Sequence, residues 1–166
     1  MKKRIISIIL LFLIVFNVSV YGLSFNDISE NDWFYNDVMT LREQGVISGY
    51  SDDTFRPSAN IKNAEALKMI MGVADITPYP AISGAHWASG YLKKAKELKI
   101  VSDSINKDTL DNSITRQDVA DIVVKALKLD KKDLTLNLDT FIDTKDKNVN
   151  ILSTIGVING IKGSDG

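Results

Sequence analysis

An internal repeat with a period of 53 to 57 residues constrains this chain more than any other feature of its sequence. The tetrapeptides at 45–48, 99–102 and 156–159 read GVIS, KIVS and GVIN, so they begin 54 and 57 residues apart. Trp33 and Trp87 are separated by the same 54 residues. Matches at one period indicate similar supersecondary units that stack and bury one another's apolar faces.

Each unit is predicted to be a helix, a turn-rich loop and a second helix. Apolar side chains recur at steps of three and four residues, the spacing of one helix face, over 34–41 and 67–74 in the first unit. The same spacing recurs over 91–98 and 119–126 in the second unit, and over 149–155 in the third. The sequence has no long alternating runs of the kind that indicate strands, so the predicted fold class is all-α with at most one or two short bridges.

Local patterns predict where helices and connectors lie. Asn31 or Asp32 is positioned to cap the start of the first helix, and Gly45 suits the left-handed conformation that ends it. Connectors rich in proline, glycine or charge are predicted at 76–85 and 130–139. The apolar core predicted to be shared by the first two units comprises Val38, Leu41, Leu67, Ile70, Leu92, Ala95, Ile122 and Val123.

The first residues have the layout of a secretory signal peptide. A basic start at 2–4 precedes an apolar run over 5–16, and a small-residue pattern predicts cleavage after Gly22. An uncleaved membrane anchor over 5–23 is the alternative, because about 17 to 25 apolar residues can span a bilayer. Asn17 interrupts that run and no charge cluster follows it, which favours cleavage and an exported protein.

The composition excludes several functional classes. Removal of residues 1–22 takes away three of the 20 basic residues and leaves 17 against 21 acidic ones, so the remaining chain is mildly acidic. A nucleic-acid-binding surface would need a basic field instead. The chain has no cysteine. Disulfides, thiolate nucleophiles and cysteine-bound metals are therefore excluded, and the core must hold the fold together unaided.

The first unit also carries a set of motifs in a fixed order. They are F-x-D at 25–27, WFY at 33–35, GVISGY at 45–50, DDTFRP at 52–57 and IKNAE at 61–65. Their order and spacing closely resemble the S-layer homology family, and the resemblance covers almost the whole chain after residue 22. It implies helix-loop-helix repeats in a pseudo-threefold assembly outside the cell, with the third repeat incomplete.

The resemblance also implies boundaries, location and ligand. Repeats are predicted at 23–77 and 78–130, followed by a linker and a partial third repeat at 131–166. Members of the family bind secondary cell-wall polysaccharide non-covalently, typically polymers with acidic substituents such as pyruvate ketals, in grooves between neighbouring repeats. The predicted location is the cell wall or cell surface, with no cofactor. The third unit stops before its second helix, so we expect either a fragment with a downstream domain or a truncated unit that leans on its neighbours.

The repeats depart from the family pattern at positions that bear on ligand binding. Lys62 and Asn63 stand where the family has Thr and Arg, and Lys99 replaces the glycine that ends a helix. The second unit lacks the F-x-D start and the third has no tryptophan. Thr115 and Arg116 alone keep the basic helix-start motif, so binding in all three grooves is not expected.

Arg116 and Thr115 are therefore the first candidates for the ligand site. Thr115 and Asp118 have the spacing of a capping box at a helix start. The free N–H groups and positive dipole of such a terminus attract a carboxylate, and the arginine fork can bind both of its oxygens. The alternative is that Arg116 is a solvated or structural residue of the first helical turn.

Three further residues complete the predicted site, each with an alternative. Lys62, at the equivalent cap position of the first unit, either supplies a weaker point charge or is a solvated lysine. Trp33 and Trp87 either stack on sugar rings or serve as packing anchors between units. The acidic pair at 52–53 is more typical of a turn than of a calcium site, so no metal is predicted.

The sequence predicts a binding protein and not an enzyme. His86 is the only histidine and has no serine or cysteine motif to serve, and no acidic pair has a recognisable catalytic spacing. The predicted function is anchoring at the cell wall through polysaccharide. The first alternative is a cell-surface interaction or assembly module that has lost polysaccharide binding and has a surface-layer partner. The second is a wall-active hydrolase.

Overall fold

The computed structural model describes residues 24–131 and 146–158. These ranges contain α1 (Tyr35–Glu43), α2 (Asn63–Val73), α3 (Ser89–Glu97), α4 (Arg116–Ala126), a 3₁₀ turn (Leu129–Lys131) and α5 (Lys147–Thr154). They contain no strand, and one isolated antiparallel bridge joins Lys62 to Ser113. The predicted all-α class is confirmed.

The predicted signal peptide at 1–22 and its alternative as an anchor lie outside the described residues, as does most of the connector predicted at 130–139. Within the described ranges, no helix combines the length and the apolar character needed to cross a membrane.

The described helices recur at the period read from the sequence. Helices α1, α3 and α5 have 9, 9 and 8 residues, whereas α2 and α4 each have 11. Gly45, Lys99 and Gly156 follow the shorter helices, and their φ angles are +73°, +56° and +78°. The predicted left-handed position at Gly45 is therefore confirmed. Lys99 adopts the same conformation without being glycine, which costs roughly 1–2 kcal/mol. The boundaries of the three repeats stay a prediction.

The start of α1 differs from the prediction. The helix begins at Tyr35, and no side chain caps it. Asp32 instead accepts a hydrogen bond from the Ser29 amide at 2.7 Å, one turn earlier, so neither Asn31 nor Asp32 is the cap. Local propensity identified the turn but not which amide the carboxylate would bind.

The chain divides after Pro57 into two compact units. In the first, Phe25 is buried and its ring lies 5.6 Å from that of Phe55. Asp27 accepts hydrogen bonds from the amides of Phe55 and Arg56, both at 2.7 Å and one on each carboxylate oxygen. The F-x-D start of this unit is thereby tied to its DDTFRP loop.

The second unit contains two apolar clusters. In the first cluster, the inner faces of α2, α3 and α4 meet, with Leu67, Met71, Ala95 and Ile122 almost completely buried. The second cluster joins α4 to the 3₁₀ turn and α5, and its buried members are Ala120, Val124, Leu129, Ile151 and Leu152. Helix α4 therefore packs on both sides and connects the two clusters.

Of the eight predicted core residues, four are buried (Val38, Leu67, Ala95 and Ile122) and four are partly buried, and they do not share one cluster. Leu67, Ala95 and Ile122 lie in the first cluster, and Ile70 and Leu92 are partly buried against it. Val123 packs instead against the second cluster, because α4 presents different faces to its two neighbours. In the other compact unit, Val38 is buried and Leu41 half-buried.

The connector predicted at 76–85 crosses α3 at Gly90. A Cβ atom on Gly90 would lie 1.9 Å from the carbonyl oxygen of Tyr79, so only glycine allows this approach. The Tyr79 hydroxyl is hydrogen-bonded to Glu97, and the Ile82 amide donates to the Ser89 hydroxyl at 2.9 Å. The connector is thus fastened along the outer face of the helix.

We predict opposite effects for the same substitution at two helical glycines. Gly90→Ala should lower the free energy of unfolding by roughly 1–3 kcal/mol or more, the usual cost of overpacking a tight contact. Gly72→Ala, at an exposed position of α2, should raise it by about 1 kcal/mol through helix propensity. Urea denaturation followed by circular dichroism measures both, and equal effects would contradict the close crossing at Gly90.

The burial of Leu67 gives a second prediction. Leu67→Ala should cost about 2–5 kcal/mol of stability, because it opens a cavity where α2, α3 and α4 meet. Leu98→Ala is the control, since Leu98 is 42% exposed at the end of α3. The same denaturation measurement should give a much smaller loss for the control; similar losses would place Leu67 outside the core.

Candidate functional site

The starts of α2 and α4 lie side by side in the second unit. The Ile114 amide donates to the carbonyl of Ile61, and the Asn63 amide donates to that of Asn112, both at 2.9 Å. The bridge between Lys62 and Ser113 lies between these two bonds. Residues 61–63 and 112–114 therefore form a short antiparallel pairing, and we call the surface around it the α2–α4 corner.

Asn63 fixes the corner from inside. Its side chain is buried, with 5% exposed, and its amide donates to the carbonyl of Thr109 at 2.7 Å. The Ala64 amide continues the pairing by donating to the carbonyl of Leu110 at 3.0 Å. A buried amide needs a partner. Asn63, which stands where the family has arginine, is therefore a structural residue.

Thr115 caps α4 as predicted. Its hydroxyl oxygen accepts from the Asp118 amide at 3.0 Å, and the hydroxyl donates to the Asp118 carboxylate at 2.6 Å. The first amide bonded within the helix is that of Val119, which donates to the Thr115 carbonyl at 3.0 Å. The amides of Arg116 and Gln117 precede it and belong to the positive end of the helix.

Arg116 is the first residue of α4 and is exposed. Its guanidinium makes no hydrogen bond or ion pair with any residue in the described parts of the chain. The neighbouring Gln117 is engaged, since its amide donates to Asp146 at 2.8 Å. Within the described residues, Arg116 is therefore an exposed and unpaired charge beside a helix N-terminus.

Lys62 lies at the same corner and is neutralised by a carboxylate. Its ammonium is 2.8 Å from Asp111 Oδ1, and His86 Nε2 lies 3.4 Å from Asp111 Oδ2. The hydrogen bond from Lys62 is the main cause that lowers the pKa of Asp111 below its usual value, with a smaller effect from His86. The Lys62 side chain is thus half-exposed and held in an ion pair, and its place in the ligand site stays a prediction.

Sequence reasoning did not identify Asp111 as a site residue. The equivalent position in the first unit, 53 residues earlier, is Ser58, so the repeat gave no indication of it. Asp111 and Lys62 are 49 residues apart and meet only because residues 61–63 pair with 112–114.

Trp87 belongs to the same surface. Its ring lies 5.4 Å from that of His86 and 6.1 Å, edge to face, from that of Tyr91. The side chain is 48% exposed, so the ring is partly accessible to solvent while it contacts its two neighbours. Lys62, Trp87, Thr115 and Arg116 thus lie within one unit, linked through Asp111, His86 and the pairing at 112–114.

Trp33 lies in the unit that ends at Pro57. It is 90% exposed, and its ring meets Phe34 edge to face at 5.4 Å. A ring this exposed does not anchor the packing of its own unit.

The acidic turn of the first unit is organised internally. Asp52 accepts a hydrogen bond from the Thr54 hydroxyl at 2.6 Å and pairs with the Arg56 guanidinium at 2.9 Å. These contacts, the first above all, lower the pKa of Asp52 to about 2. In the described residues, no three His, Asp or Glu side chains are grouped to hold a metal ion.

Residues 24–67 match the family model described as S-layer homology domain. The chain therefore carries an S-layer homology domain in its first part. This match confirms the family resemblance that the motifs of the first unit indicated.

Similar proteins include two that are named for the cell wall or the surface layer and one enzyme. The chain is 31% identical over 110 residues to the middle cell wall protein of Brevibacillus brevis, which covers 66% of this chain and 10% of the relative. It is 30% identical over 117 residues to an endoglucanase of a Bacillus species, and this match covers 68% of this chain and 12% of the relative. It is 28% identical over 142 residues to the surface-layer 125 kDa protein of Lysinibacillus sphaericus, and this match covers 78% of this chain and 12% of the relative.

The chain spans about a tenth of the length of these three relatives. The domain match and the two relatives named for the cell wall and the surface layer indicate a protein associated with the cell wall or cell surface.

The lowered pKa of Asp52 predicts acid-dependent stability. Because the folded-state pKa lies below the usual 3.8, the contribution of Asp52 is complete above the unfolded-state value and is lost as the pH falls through about 2. The stability difference between wild type and Asp52→Asn should therefore be constant near neutral pH and shrink in this acid range. Urea denaturation across that range tests it, and a pH-independent difference would contradict the role of the carboxylate charge.

Proposed function

We propose that this protein anchors at the bacterial cell wall by binding secondary cell-wall polysaccharide, an acidic polymer, at the α2–α4 corner. The observation that carries the proposal is Arg116, an exposed arginine beside a capped helix N-terminus and without an ion pair among the described residues. An anionic substituent is the ligand chemistry that this arrangement favours.

The corner supplies complementary contacts for a carboxylate-bearing sugar. The guanidinium of Arg116 can bind both oxygens of a carboxylate, and the helix N-terminus adds its positive end. The half-exposed ring of Trp87 offers an apolar face for a sugar ring. Export through the predicted signal peptide would bring this surface to the wall.

The range of relatives supports binding over catalysis. The matched sequence is shared with a cell wall protein, a surface-layer protein and an endoglucanase, and it accounts for about a tenth of each. A short segment common to proteins of such different kinds is best explained by a shared place of attachment. The proposal therefore assigns the chain a binding role without its own chemistry.

The ion pair between Lys62 and Asp111 favours the second candidate, an interaction module that has lost polysaccharide binding. A lysine already neutralised attracts an anionic polymer less than a free one does. Arg116 supports the first candidate, because its charge has no such partner within the described residues.

Truncation of Arg116 tests the proposal. Arg116→Ala should weaken binding to wall polysaccharide about 10- to 150-fold, the equivalent of roughly 1.5–3 kcal/mol for a hydrogen bond to a charged group. Arg116→Lys should recover part of the loss, since a point charge replaces a two-pronged contact. Added salt should weaken wild type more than Arg116→Ala. Co-sedimentation with purified wall polysaccharide measures all three.

Lys128→Ala is the matched control. It removes one exposed positive charge just beyond the other end of α4, about 16 Å away for an 11-residue helix, beyond the screening length of roughly 8 Å at physiological salt. We expect it to bind like wild type. If Arg116→Ala binds as tightly as wild type, Arg116 is not part of the site. Absence of binding by wild type would favour the interaction module, and release of reducing sugar would indicate a hydrolase.

A further inference from the structure

Three charged or titratable side chains from different parts of the second unit meet at the α2–α4 corner. Lys62 precedes α2, His86 precedes α3, and Asp111 lies in the loop before α4. We infer, on the basis of the proposed function, that Asp111 sets the affinity of the site as a built-in competitor for the anionic group of the polymer, and that protonation of His86 offsets this competition.

Asp111 contacts each neighbour through a different oxygen. Oδ1 is 2.8 Å from the Lys62 ammonium, and Oδ2 is 3.4 Å from His86 Nε2. A polymer carboxylate that approaches Lys62 must therefore displace Asp111 or bind to a lysine whose charge is already balanced. This makes Asp111 a determinant of affinity although it need not touch the ligand.

The tautomer of His86 follows from its second contact. Nδ1 accepts a hydrogen bond from the Ala88 amide at 3.1 Å, so the neutral ring carries its proton on Nε2, which faces Asp111. A second proton must enter at Nδ1 and breaks the bond to Ala88.

The charges around His86 fix the direction of the pH effect. Asp111 faces the ring and pairs with Lys62, and the Glu65 carboxylate accepts from the Lys62 amide at 2.9 Å. Protonation of His86 adds one positive charge to this group. Carboxylates of the polymer, which titrate near 4, stay ionised throughout the histidine range around about 6.5. Binding should therefore tighten as the pH falls.

His86 is the only histidine of the chain, so no other side chain ordinarily titrates in this range. One added charge about 6 Å from a ligand carboxylate, in the high dielectric of an exposed site, corresponds to an affinity change of about three- to ten-fold.

The test measures binding of the whole chain to pyruvylated wall polysaccharide at about pH 7.5 and 5.5, on either side of the ordinary histidine value. Wild type should bind about three- to ten-fold more tightly at the lower pH. His86→Gln should bind equally at both, and polymer from which the pyruvate has been removed should show no such tightening. Asp111→Asn should already bind about three- to ten-fold more tightly than wild type at the higher pH.

Asp108→Asn is the matched control for net charge. It makes the same substitution three residues earlier in the same loop, at a carboxylate paired with Lys107 at 2.7 Å, and it should bind like wild type at both pH values. Circular dichroism confirms that each variant is folded. If the control tightens binding as much as Asp111→Asn, or if wild type binds equally at both pH values, the inference is overturned and the proposed function stands. If wild type binds at neither pH, the proposed function itself fails.

Discussion

The antiparallel pairing of residues 61–63 with 112–114 is the contact on which the arrangement of the second unit depends. It is short, but the buried side chain of Asn63 and the amide of Ala64 extend it to the carbonyls of Thr109 and Leu110. Loss of these bonds would leave buried polar groups without partners, which costs more than the bonds themselves contribute. The pairing therefore holds the starts of α2 and α4 together while their apolar faces fill the cluster around Leu67 and Ile122.

The same pairing creates an electrostatic asymmetry between the two helix starts. At α4, Thr115 caps the helix and Arg116 is exposed, with no ion-pair partner in the parts of the chain that the structure describes. At α2, Lys62 is balanced by Asp111, which is shared with His86. The two helix starts, which are equivalent in the repeat, thus have different electrostatic environments. This asymmetry is the reason for assigning the stronger anion contact to Arg116.

Divergence between the units left the backbone largely unchanged. Lys99 takes the left-handed conformation that glycine takes at positions 45 and 156, and its amide still donates to the carbonyl three residues earlier at 3.0 Å. The modest strain of a lysine in this conformation is offset by the buried residues on either side, Ala95 and Ile100. A repeat can therefore lose its motif residues and keep its fold, so the state of each motif bears on binding more than on architecture.

The sequence by itself determined the features that depend on residues three to five positions apart. Helix spacing, the left-handed turn at Gly45 and the cap at Thr115 were predicted correctly, because helical hydrogen bonds and caps join near neighbours. The family motifs gave the order of the elements and made Arg116 a candidate site residue. The capping role suggested for Asn31 and Asp32 was wrong, since a carboxylate in a turn has several amides within reach.

Only the tertiary structure decided which distant residues meet. The ion pair of Lys62 with Asp111, the contact of that carboxylate with His86, the crossing of the connector at Gly90 and the place of Val123 in the second cluster all join segments far apart in sequence. Such contacts arise when apolar faces pack and bring the loops between them to fixed positions. Periodicity shows that a face is apolar, but the choice of its partner depends on the complementary shapes of all the packed elements at once.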